Sequence, residues 1–431
     1  MRTKDRWCRF ALMCLVLCWW GGSLPAAGDD WPQWYGVNRD GKSAETGLLS
    51  TWPADGPPQV WAGQGAGTGY SSVAVSDGRI VTMGNHGDDE FVIAFSEADG
   101  SELWRTRNGG AYRNNRGSGP RSTPTIDGDL VYALGANGDL GCYRINDGNE
   151  VWQVNLLSTY GGGNISWGIS ESVLIEGDML ICSPGGQDHA MVALNKKTGE
   201  QLWATKGLND RPGYASAVAA TIGGVRQIIQ MTGAAAVGIR AGDGLVMWQY
   251  HKASNDTANC TTPIVQGDHV FVTSGYGTGC ALLKLTSSGD KTGSAELYFN
   301  KVMKNHFGGV VLVDGHLYGN SNKLVCMDLM TGQRKWRTNG PGKCSVIYAD
   351  GHLYCLSEGG VMALVEADPN AYVEKSRFTF KEFEHFKTGG IGEEDEKPCW
   401  ATPAIANGRL LLRDQDALYS YDISESASAG R

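Results

Sequence analysis

The feature that most constrains this fold is a glycine followed four residues later by a tryptophan, at the end of a recurring 11-residue pattern. The stretch CMDLMTGQRKW ends at Trp336. Variants such as ALNKKTGEQLW and AFSEADGSELW end at Trp203 and Trp104, and two further copies end at Trp152 and Trp248. Five copies distributed along one chain indicate a structural repeat.

A second pattern alternates with the first. Short runs of β-branched and apolar residues flank a two-residue turn that is usually Asp-Gly, which is typical of a β-hairpin. Two further strand-like runs follow most hairpins, so each unit contains four antiparallel strands, and no stretch shows sustained helical periodicity. Repeats of this length are typical of propeller blades. The sequence therefore predicts an all-β, eight-bladed β-propeller, whose turn glycines are spaced 36 to 57 residues apart: Gly78, Gly128, Gly177, Gly223, Gly267, Gly315, Gly351 and Gly408.

The tryptophans are predicted to dock each blade onto its neighbour, because a large side chain at that position buries the most apolar area. The predicted docking residues are Trp61, Trp104, Trp152, Trp203, Trp248 and Trp336. Phe299 and Phe378 are expected in their place in blades 5 and 7. The last hairpin lacks a fourth strand, while Pro58-Gln-Val-Trp61 stands alone before the first. Segment 58–61 is therefore predicted to complete the last blade and close the ring, which pairs both open edges.

The N-terminus has the order of a secretory signal peptide: basic residues, an apolar run from Phe10 to Trp20, and small residues up to Ala27. We therefore predict a signal peptide at 1–27, one propeller at 28–423 and a polar tail at 424–431. No later segment is long and apolar enough to span a bilayer. The mature protein is expected to be exported to the periplasm or cell exterior of a bacterium, as a monomer.

Charge and the metal-binding residue types exclude several kinds of function. The formal net charge of −9 argues against a nucleic-acid partner. The eight histidines show no metal-ligand spacing, and the acidic run 393–396 is interpreted as a solvated insertion, so no metal site is predicted. Export would permit disulfides, but no pairing follows for the eight cysteines beyond the leader, which are Cys142, Cys182, Cys260, Cys280, Cys326, Cys344, Cys355 and Cys399.

The Gly-x-x-x-Trp repeat resembles the tryptophan-docking motif of the pyrroloquinoline-quinone (PQQ) propeller superfamily, from about Trp31 to Ile423. The opening WPQWYGVNRDGKSAETGLLSTWP is similar to that of secreted bacterial PQQ-like repeat proteins. The superfamily includes calcium-dependent quinoprotein dehydrogenases and cofactor-free members such as the scaffold lipoprotein of the outer-membrane β-barrel assembly machinery. The resemblance therefore implies the fold and leaves the function open.

In a quinoprotein dehydrogenase, the resemblance would imply a quinone held between a Trp and a disulfide of two adjacent cysteines, with a Ca²⁺ ion and an Asp base. This chain has no Cys-Cys pair after the leader; its closest cysteines are Cys344 and Cys355. The absence counts against catalysis, although some quinone-binding propellers manage without that disulfide. No cofactor and no catalytic residue are expected, and PQQ with Ca²⁺ is the alternative.

The repeat also predicts where a ligand site would lie. Counting seven residues back from each turn glycine marks the start of each innermost strand, at one mouth of the central channel. The side chains there suit an anionic, aromatic or sugar ligand, although such residues can also simply solvate the mouth and pack together. The candidate ligand-binding residues are Arg116, Arg121, Trp167, Tyr214, Asn259, His306, Lys343 and Trp400.

Three functional hypotheses follow. The first is a non-catalytic, exported propeller that binds a protein or polysaccharide partner through one face. The second is a PQQ-dependent alcohol or sugar dehydrogenase with a degenerate site, in which Arg121 or Lys343 would hold the quinone carboxylates. The third is carbohydrate binding at Trp167, Tyr214 and Trp400.

Overall fold

The computed structural model describes residues 30–288, 291–380 and 397–428. They form eight four-stranded antiparallel sheets, which confirms the predicted eight-bladed propeller. The predicted signal peptide and the acidic run 393–396 lie outside the described residues. In each blade the hairpin supplies the innermost and second strands.

Each blade runs from an innermost strand at the channel to an outermost strand at the rim. In that order, blades 1 and 2 contain Ala74–Ser76, Arg79–His86, Asp89–Ser96 and Glu102–Gly110, then Thr125–Asp127, Leu130–Leu134, Asp139–Arg144 and Glu150–Asn155. Blades 3 and 4 contain Leu174–Glu176, Met179–Cys182, Val192–Asn195 and Gln201–Ala204, then Val218–Ile222, Val225–Met231, Ala236–Arg240 and Val246–Tyr250. Blades 5 and 6 contain Ile264–Gln266, His269–Ser274, Gly279–Ser288 and Lys291–Asn300, then Val310–Val313, His316–Asn320, Leu324–Asp328 and Arg334–Thr338. Blades 7 and 8 contain Cys344–Ala349, His352–Ser357, Val361–Glu366 and Glu374–Thr379, then Ala404–Ala406, Arg409–Asp414, Ala417–Asp422 and Gln59–Gln64.

Helix is scarce in the described residues. A short α-helix, Leu156–Tyr160, follows blade 2. The segment predicted as a polar tail begins at Ser424, which forms a β-bridge with Leu48, and continues as the 3₁₀ turn Glu425–Ser428.

The hairpin turns fall into two classes that the sequence prediction did not separate. Five blades use an X-Gly pair in which both residues have positive φ, as at Asp77 and Gly78 (49° and 72°). Such turns match the right-handed twist of the flanking strands. In blades 2, 3 and 5 the turn is shifted by one residue to Gly-Asp, because Asp127 pairs directly with Leu130 and leaves Gly128 as the first turn residue. Glycine thus supplies the first positive φ there.

The ring closes as predicted: the N-terminal strand Gln59–Gln64 pairs with Ala417–Asp422 as the outermost strand of blade 8. The ring is therefore held together by backbone hydrogen bonds between the two ends of the propeller. No sheet edge is left open at the junction between the first and last blades.

The docking tryptophans mostly donate their indole N–H to a main-chain carbonyl of the next blade. Trp61 reaches Glu97 O, Trp104 reaches Ile145 O, Trp152 reaches Lys196 O, Trp203 reaches Ala241 O and Trp336 reaches Asp368 O, all at 2.8–3.0 Å. Trp248 differs, because it donates to Gln227 within its own blade, and the Gln227 amide donates to Ser287 of blade 5 at 2.9 Å. The inter-blade connection from Trp248 is therefore relayed through a side chain.

Blades 5 and 7 replace the docking tryptophan in ways the sequence did not reveal. Tyr298, rather than Phe299, lies beside the β-bulge of blade 5, and its hydroxyl donates to Leu329 O of blade 6 at 2.8 Å. In blade 7, Ser376 precedes the bulge in the strand pairing, and its hydroxyl accepts a hydrogen bond from Trp52 N at 2.7 Å. The Trp52 ring packs on Tyr354 and Phe378. The N-terminal segment thus supplies the missing aromatic ring.

Residues 31–42 cross the central channel, and we call them the plug. Trp31 pairs with Val75 of blade 1, and the Tyr35 hydroxyl lies 2.6 Å from both Gly308 O and Val346 O at blades 6 and 7. The buried Arg39 guanidinium donates to Val173 O and Ser172 O at blade 3. Because the plug contacts innermost strands on opposite sides of the ring, it separates the two ends of the channel.

Candidate functional site

A cavity of about 490 Å³ lies at one mouth of the channel, above the plug. We call it the Arg121 cavity. Its lining comes mainly from the residues that directly precede the innermost strands, which is why the repeat count pointed to this mouth. The lining residues are Trp34, Tyr70, Arg116, Arg121, Trp167, Ser170, Tyr214, Ser216, Thr257, Ala258, Cys260, Tyr276, His306, Phe307, Gly308 and Trp400.

The plug forms part of the floor of this cavity. Trp34 lines it, stacks on Tyr35 with ring centroids 5.0 Å apart, and donates its indole N–H to Thr262 Oγ1 at 3.1 Å. Tyr35 and Thr262 line a separate cavity of about 350 Å³ further along the innermost strands. The Arg121 cavity is thus a closed-ended cup.

Six of the eight predicted ligand-binding residues line the cup: Arg116, Arg121, Trp167, Tyr214, His306 and Trp400. Arg116 and Arg121 come from the connection before blade 2, and the other four each come from the connection before a different blade. The rings form an aromatic wall in which Trp167 packs on Tyr214 at 5.6 Å and Tyr70 on Trp400 at 5.0 Å between centroids. Sequence reasoning missed Trp34 and Phe307 as lining residues.

Asn259 and Lys343 do not line the cup, which corrects their prediction as ligand contacts. Asn259 is buried, and its amide donates to the Thr232 and Gly233 carbonyls. The Lys343 ammonium lies 4.9 Å from the centroid of the Phe307 ring and 2.7 Å from Glu358 Oε1. Both polar groups therefore interact with nearby protein groups. Asn259 holds a loop through its hydrogen bonds, and Lys343 contacts the Phe307 ring and Glu358.

Arg121 provides a partly buried positive charge at the wall of the cup. Its guanidinium lies over the Tyr70 ring at 5.0 Å and donates to Gly117 O at 2.9 Å, while Nη1 has no hydrogen-bond partner among the described residues. Burial lowers the pKa of Arg121, and its main electrostatic neighbours are three tyrosines and the Cys260 thiol. No carboxylate neutralises this charge in the cup, whose described lining contains no Asp or Glu.

Burial keeps the imidazole, phenol and thiol groups of the cup neutral near pH 7. Burial, and then the charge of Lys343, lower the pKa of His306 to about 4. Its Nε2 lies 2.9 Å from the Tyr276 hydroxyl, and its Nδ1 has no partner within the described chain. Burial raises the pKa values of Tyr70 and of the Cys260 thiol to about 12. The cup is consequently cationic and aromatic, and it offers no ionised base.

The donor set of the cup does not suit Ca²⁺. Calcium takes six to eight oxygen ligands, usually with several carboxylates, and the described lining has hydroxyls but no carboxylate. Within the described ranges, no group of three or more His, Cys, Asp or Glu could hold a metal ion. None of the eight cysteines beyond the leader forms a disulfide with another described residue. The cations and rings alone are compatible with a flat, acidic ligand.

A polar groove of about 580 Å³ lies beside the cup. The loop 163–167 and the segment 209–214 contribute to both, because Ser166 and Arg211 line the groove whereas Trp167 and Tyr214 line the cup. Amide and carboxylate side chains dominate the groove, namely Asn164, Gln187, Asn209 and Asp210. The Trp167–Tyr214 pair lines only the cup, close in the chain to the residues that line the groove.

Eight four-stranded blades, a Trp-terminated repeat and a ring closed by an N-terminal strand define a PQQ-like repeat β-propeller. The chain belongs to the family described as outer membrane protein assembly factor BamB, whose profile matches residues 42–171 and 165–338. No curated protein matches the sequence. In the part of the chain that the structure describes, no helix has the length and hydrophobicity needed to cross a membrane.

Solved structures show the same architecture at low sequence identity. BamB from Moraxella catarrhalis has a TM-score of 0.50 at 13% identity, covering 79% of this chain and 93% of that one. Quinohemoprotein alcohol dehydrogenase from Comamonas testosteroni has a TM-score of 0.65 at 11% identity, covering 92% and 81%. The dehydrogenase ADHIIG from Pseudomonas putida HK5 has a TM-score of 0.60 at 10% identity, covering 92% and 80%. These likenesses concern the fold alone.

Proposed function

We propose that this chain is an exported, non-catalytic propeller that binds a protein or polysaccharide partner through the face that carries the Arg121 cavity. The observation that supports the proposal best is the chemistry of the cup, which has aromatic walls and arginines but no carboxylate in its described lining. Aromatic walls bury the apolar surface of a ligand, and a few charged or polar groups fix its orientation. An oxidation that removes a proton needs a base, and the one imidazole of the described lining, His306, is a weak base because its pKa is lowered to about 4.

Family membership is consistent with a binding role. The matching family is described as an outer membrane protein assembly factor, and the predicted signal peptide agrees with activity outside the cytoplasm. Propellers present loops from all blades on one face, which suits contact with a large partner.

PQQ-dependent oxidation is the second candidate. One observation favours it: the cup is flanked by rings and contains the Arg121 guanidinium, which could pair with a quinone carboxylate. The lining residues do not supply the carboxylate ligands that Ca²⁺ prefers.

A thermal-unfolding titration with PQQ, with and without Ca²⁺, tests the proposal. A ligand at a hundred times its Kd adds about 2.7 kcal/mol to the stability of the native state. For a chain of this length that corresponds to a rise in Tm of roughly 3 °C. We expect no Ca²⁺-dependent rise and no dye-linked oxidation of alcohols or aldoses. A saturable, Ca²⁺-dependent rise together with turnover would overturn the proposal of a non-catalytic propeller.

The binding role itself is tested by affinity capture from envelope fractions. We expect the wild-type protein to retain a component that a Trp167→Ala, Trp400→Ala double variant does not retain. A Leu103→Ser variant is the control, because Leu103 is an exposed residue on the outermost strand of blade 1, away from the cup. Equal capture by all three proteins would show that the cup face is not the binding surface.

A further inference from the structure

Two buried arginines, Arg39 and Arg413, can be compared with the partly buried Arg121, which has the fewest hydrogen-bond partners of the three. Arg413 is fully buried and its guanidinium makes six hydrogen bonds. Arg39 donates to two carbonyls and to Gln33, and it has Glu171 as an electrostatic neighbour. Arg121 donates to Gly117 O, and it has no acidic group among its main electrostatic neighbours in the described chain. Charges shielded from water are normally paired in proteins, and the partly buried Arg121 side chain has a shielded Nη1 without a partner among the described residues, which indicates the place of an external anion.

The groups around Arg121 indicate the chemistry of the rest of the ligand that carries this anionic group. Flat ring surfaces come from Tyr70, Trp400, Trp167 and Tyr214, and hydroxyls come from Ser170, Ser216 and Thr257. Ala258 is the one aliphatic side chain in the described lining, so the apolar surface of the cup is almost entirely aromatic. Rings with interspersed hydroxyls suit a sugar ring, which has apolar C–H faces and polar edges.

The neighbouring groove indicates more than one sugar unit. Its lining includes Ser166 and Pro212, which are close in the chain to Trp167 and Tyr214 of the cup, and its amide-bearing residues provide both donors and acceptors for hydroxyl groups. The Gln187 side chain is exposed there. A chain of sugars could therefore extend from the cup into the groove without entering the closed floor formed by Trp34.

We propose that the Arg121 cavity binds an acidic sugar residue of a polysaccharide, with the Arg121 guanidinium paired to the sugar carboxylate and the adjoining units of the polymer in the groove. This inference rests on the proposed function, because it names the ligand class of the same face. Arg121 then serves for recognition, and the ligand supplies the negative charge that the described lining of the cup lacks.

Isothermal titration calorimetry with short oligogalacturonate and oligoalginate, two uronate ligands, provides the test. The matched ligand control is methyl-esterified oligogalacturonate, which keeps the sugar and removes the charge. We expect Arg121→Gln to weaken uronate binding at least tenfold and the ester to bind at least tenfold more weakly than the free acid. Arg113→Gln is the matched protein control, since Arg113 is exposed and paired with Asp88 outside the cup; it should change Kd less than twofold.

Folding of the variants is checked by their melting profiles. Trp167→Ala provides a second test. It removes an aromatic ring from the wall of the cup and leaves Arg121 in place, so we expect it also to weaken uronate binding at least tenfold. Equal binding of acid and ester would refute the role of Arg121. Failure of both uronates to bind, together with cup-dependent capture of a protein, would overturn this inference and leave the proposed function standing. Ca²⁺-dependent PQQ binding with turnover would overturn both.

Discussion

Replacing Arg413 with Met is expected to destabilise the propeller more than any surface substitution on the same strand. Arg413 lies on the second strand of blade 8, and its guanidinium donates to the main-chain oxygens of Gln415, Ser71, Met83, Ala66 and Gly67, and to Thr82 Oγ1. Methionine preserves most of the apolar stem and removes every donor. The substitution therefore isolates the contribution of one guanidinium to the junction between the last and first blades.

The magnitude follows from the number of lost bonds. Five main-chain carbonyls lose this donor, and at about 1 kcal/mol for each net hydrogen bond the loss is about 5 kcal/mol. The unfolding entropy of a chain of roughly 400 residues, at about 2.1 cal/mol/K per residue, is about 0.8 kcal/mol/K. The expected fall in Tm is therefore about 6 °C.

Differential scanning calorimetry at one fixed scan rate measures this change. Arg409→Met is the matched control, because Arg409 lies on the same strand and pairs with Asp422 at the surface at 3.1 Å. Exposed ion pairs contribute about 0 to 1 kcal/mol, so the control should lose no more than about 1 °C. If the two variants melt within about 2 °C of each other, the buried hydrogen bonds of Arg413 do not hold the junction together.

Three further predictions concern docking, the plug and pH. In calorimetry, Trp336→Phe should lower Tm by about 1–2 °C more than Trp52→Phe does. The reason is that Trp336 loses its hydrogen bond to Asp368 O, whereas the Trp52 indole N–H has no partner to lose within the described residues. Equal falls in Tm would contradict a stabilising role of the Trp336 hydrogen bond. Tyr35→Phe should lower Tm by about 2–4 °C, since two buried carbonyls lose their shared donor, and an unchanged Tm would show that this contact does not stabilise the plug. The native pKa of His306 is lowered to about 4, so between pH 6.5 and 4 the unfolded chain takes up a proton on this residue and the native state does not. The stability of the native state therefore falls as the pH drops through this range. His306→Gln should flatten this part of a Tm-against-pH curve, and an identical slope would contradict the burial of His306.

The features of the fold that repeat along the chain could be predicted from the sequence. Hairpins and the Gly-x-x-x-Trp spacing recur, so their positions could be compared between copies and the ring could be predicted. Blade 5 does not follow the Gly-x-x-x-Trp spacing, because its third and fourth strands, Gly279–Ser288 and Lys291–Asn300, are long. The docking residue Tyr298 therefore lies far along the fourth strand from where that strand begins. Tyr298 therefore cannot be found by counting from a glycine.

The features without a repeat could not be predicted. Trp52 packs on Tyr354, some 300 residues away, and no local pattern signals such a contact. The plug contains Trp34 and Tyr35 but follows neither a two-residue nor a helical period, so its path through the channel was hidden. The mouth of the channel was accessible to sequence reasoning because innermost strands start at equivalent positions, and Arg121 was found in this way.

The N-terminal segment also determines the order in which this protein can fold. The plug and the closing strand Gln59–Gln64 contact blades that are encoded hundreds of residues later. During synthesis these residues emerge first, yet their partners exist only after blade 8 has been made. Contacts of such high sequence separation form slowly because the chain must close a long loop first. The first residues of the propeller are therefore the last to reach their places, and until then the partly folded chain exposes the edge of blade 8 to other proteins in its compartment.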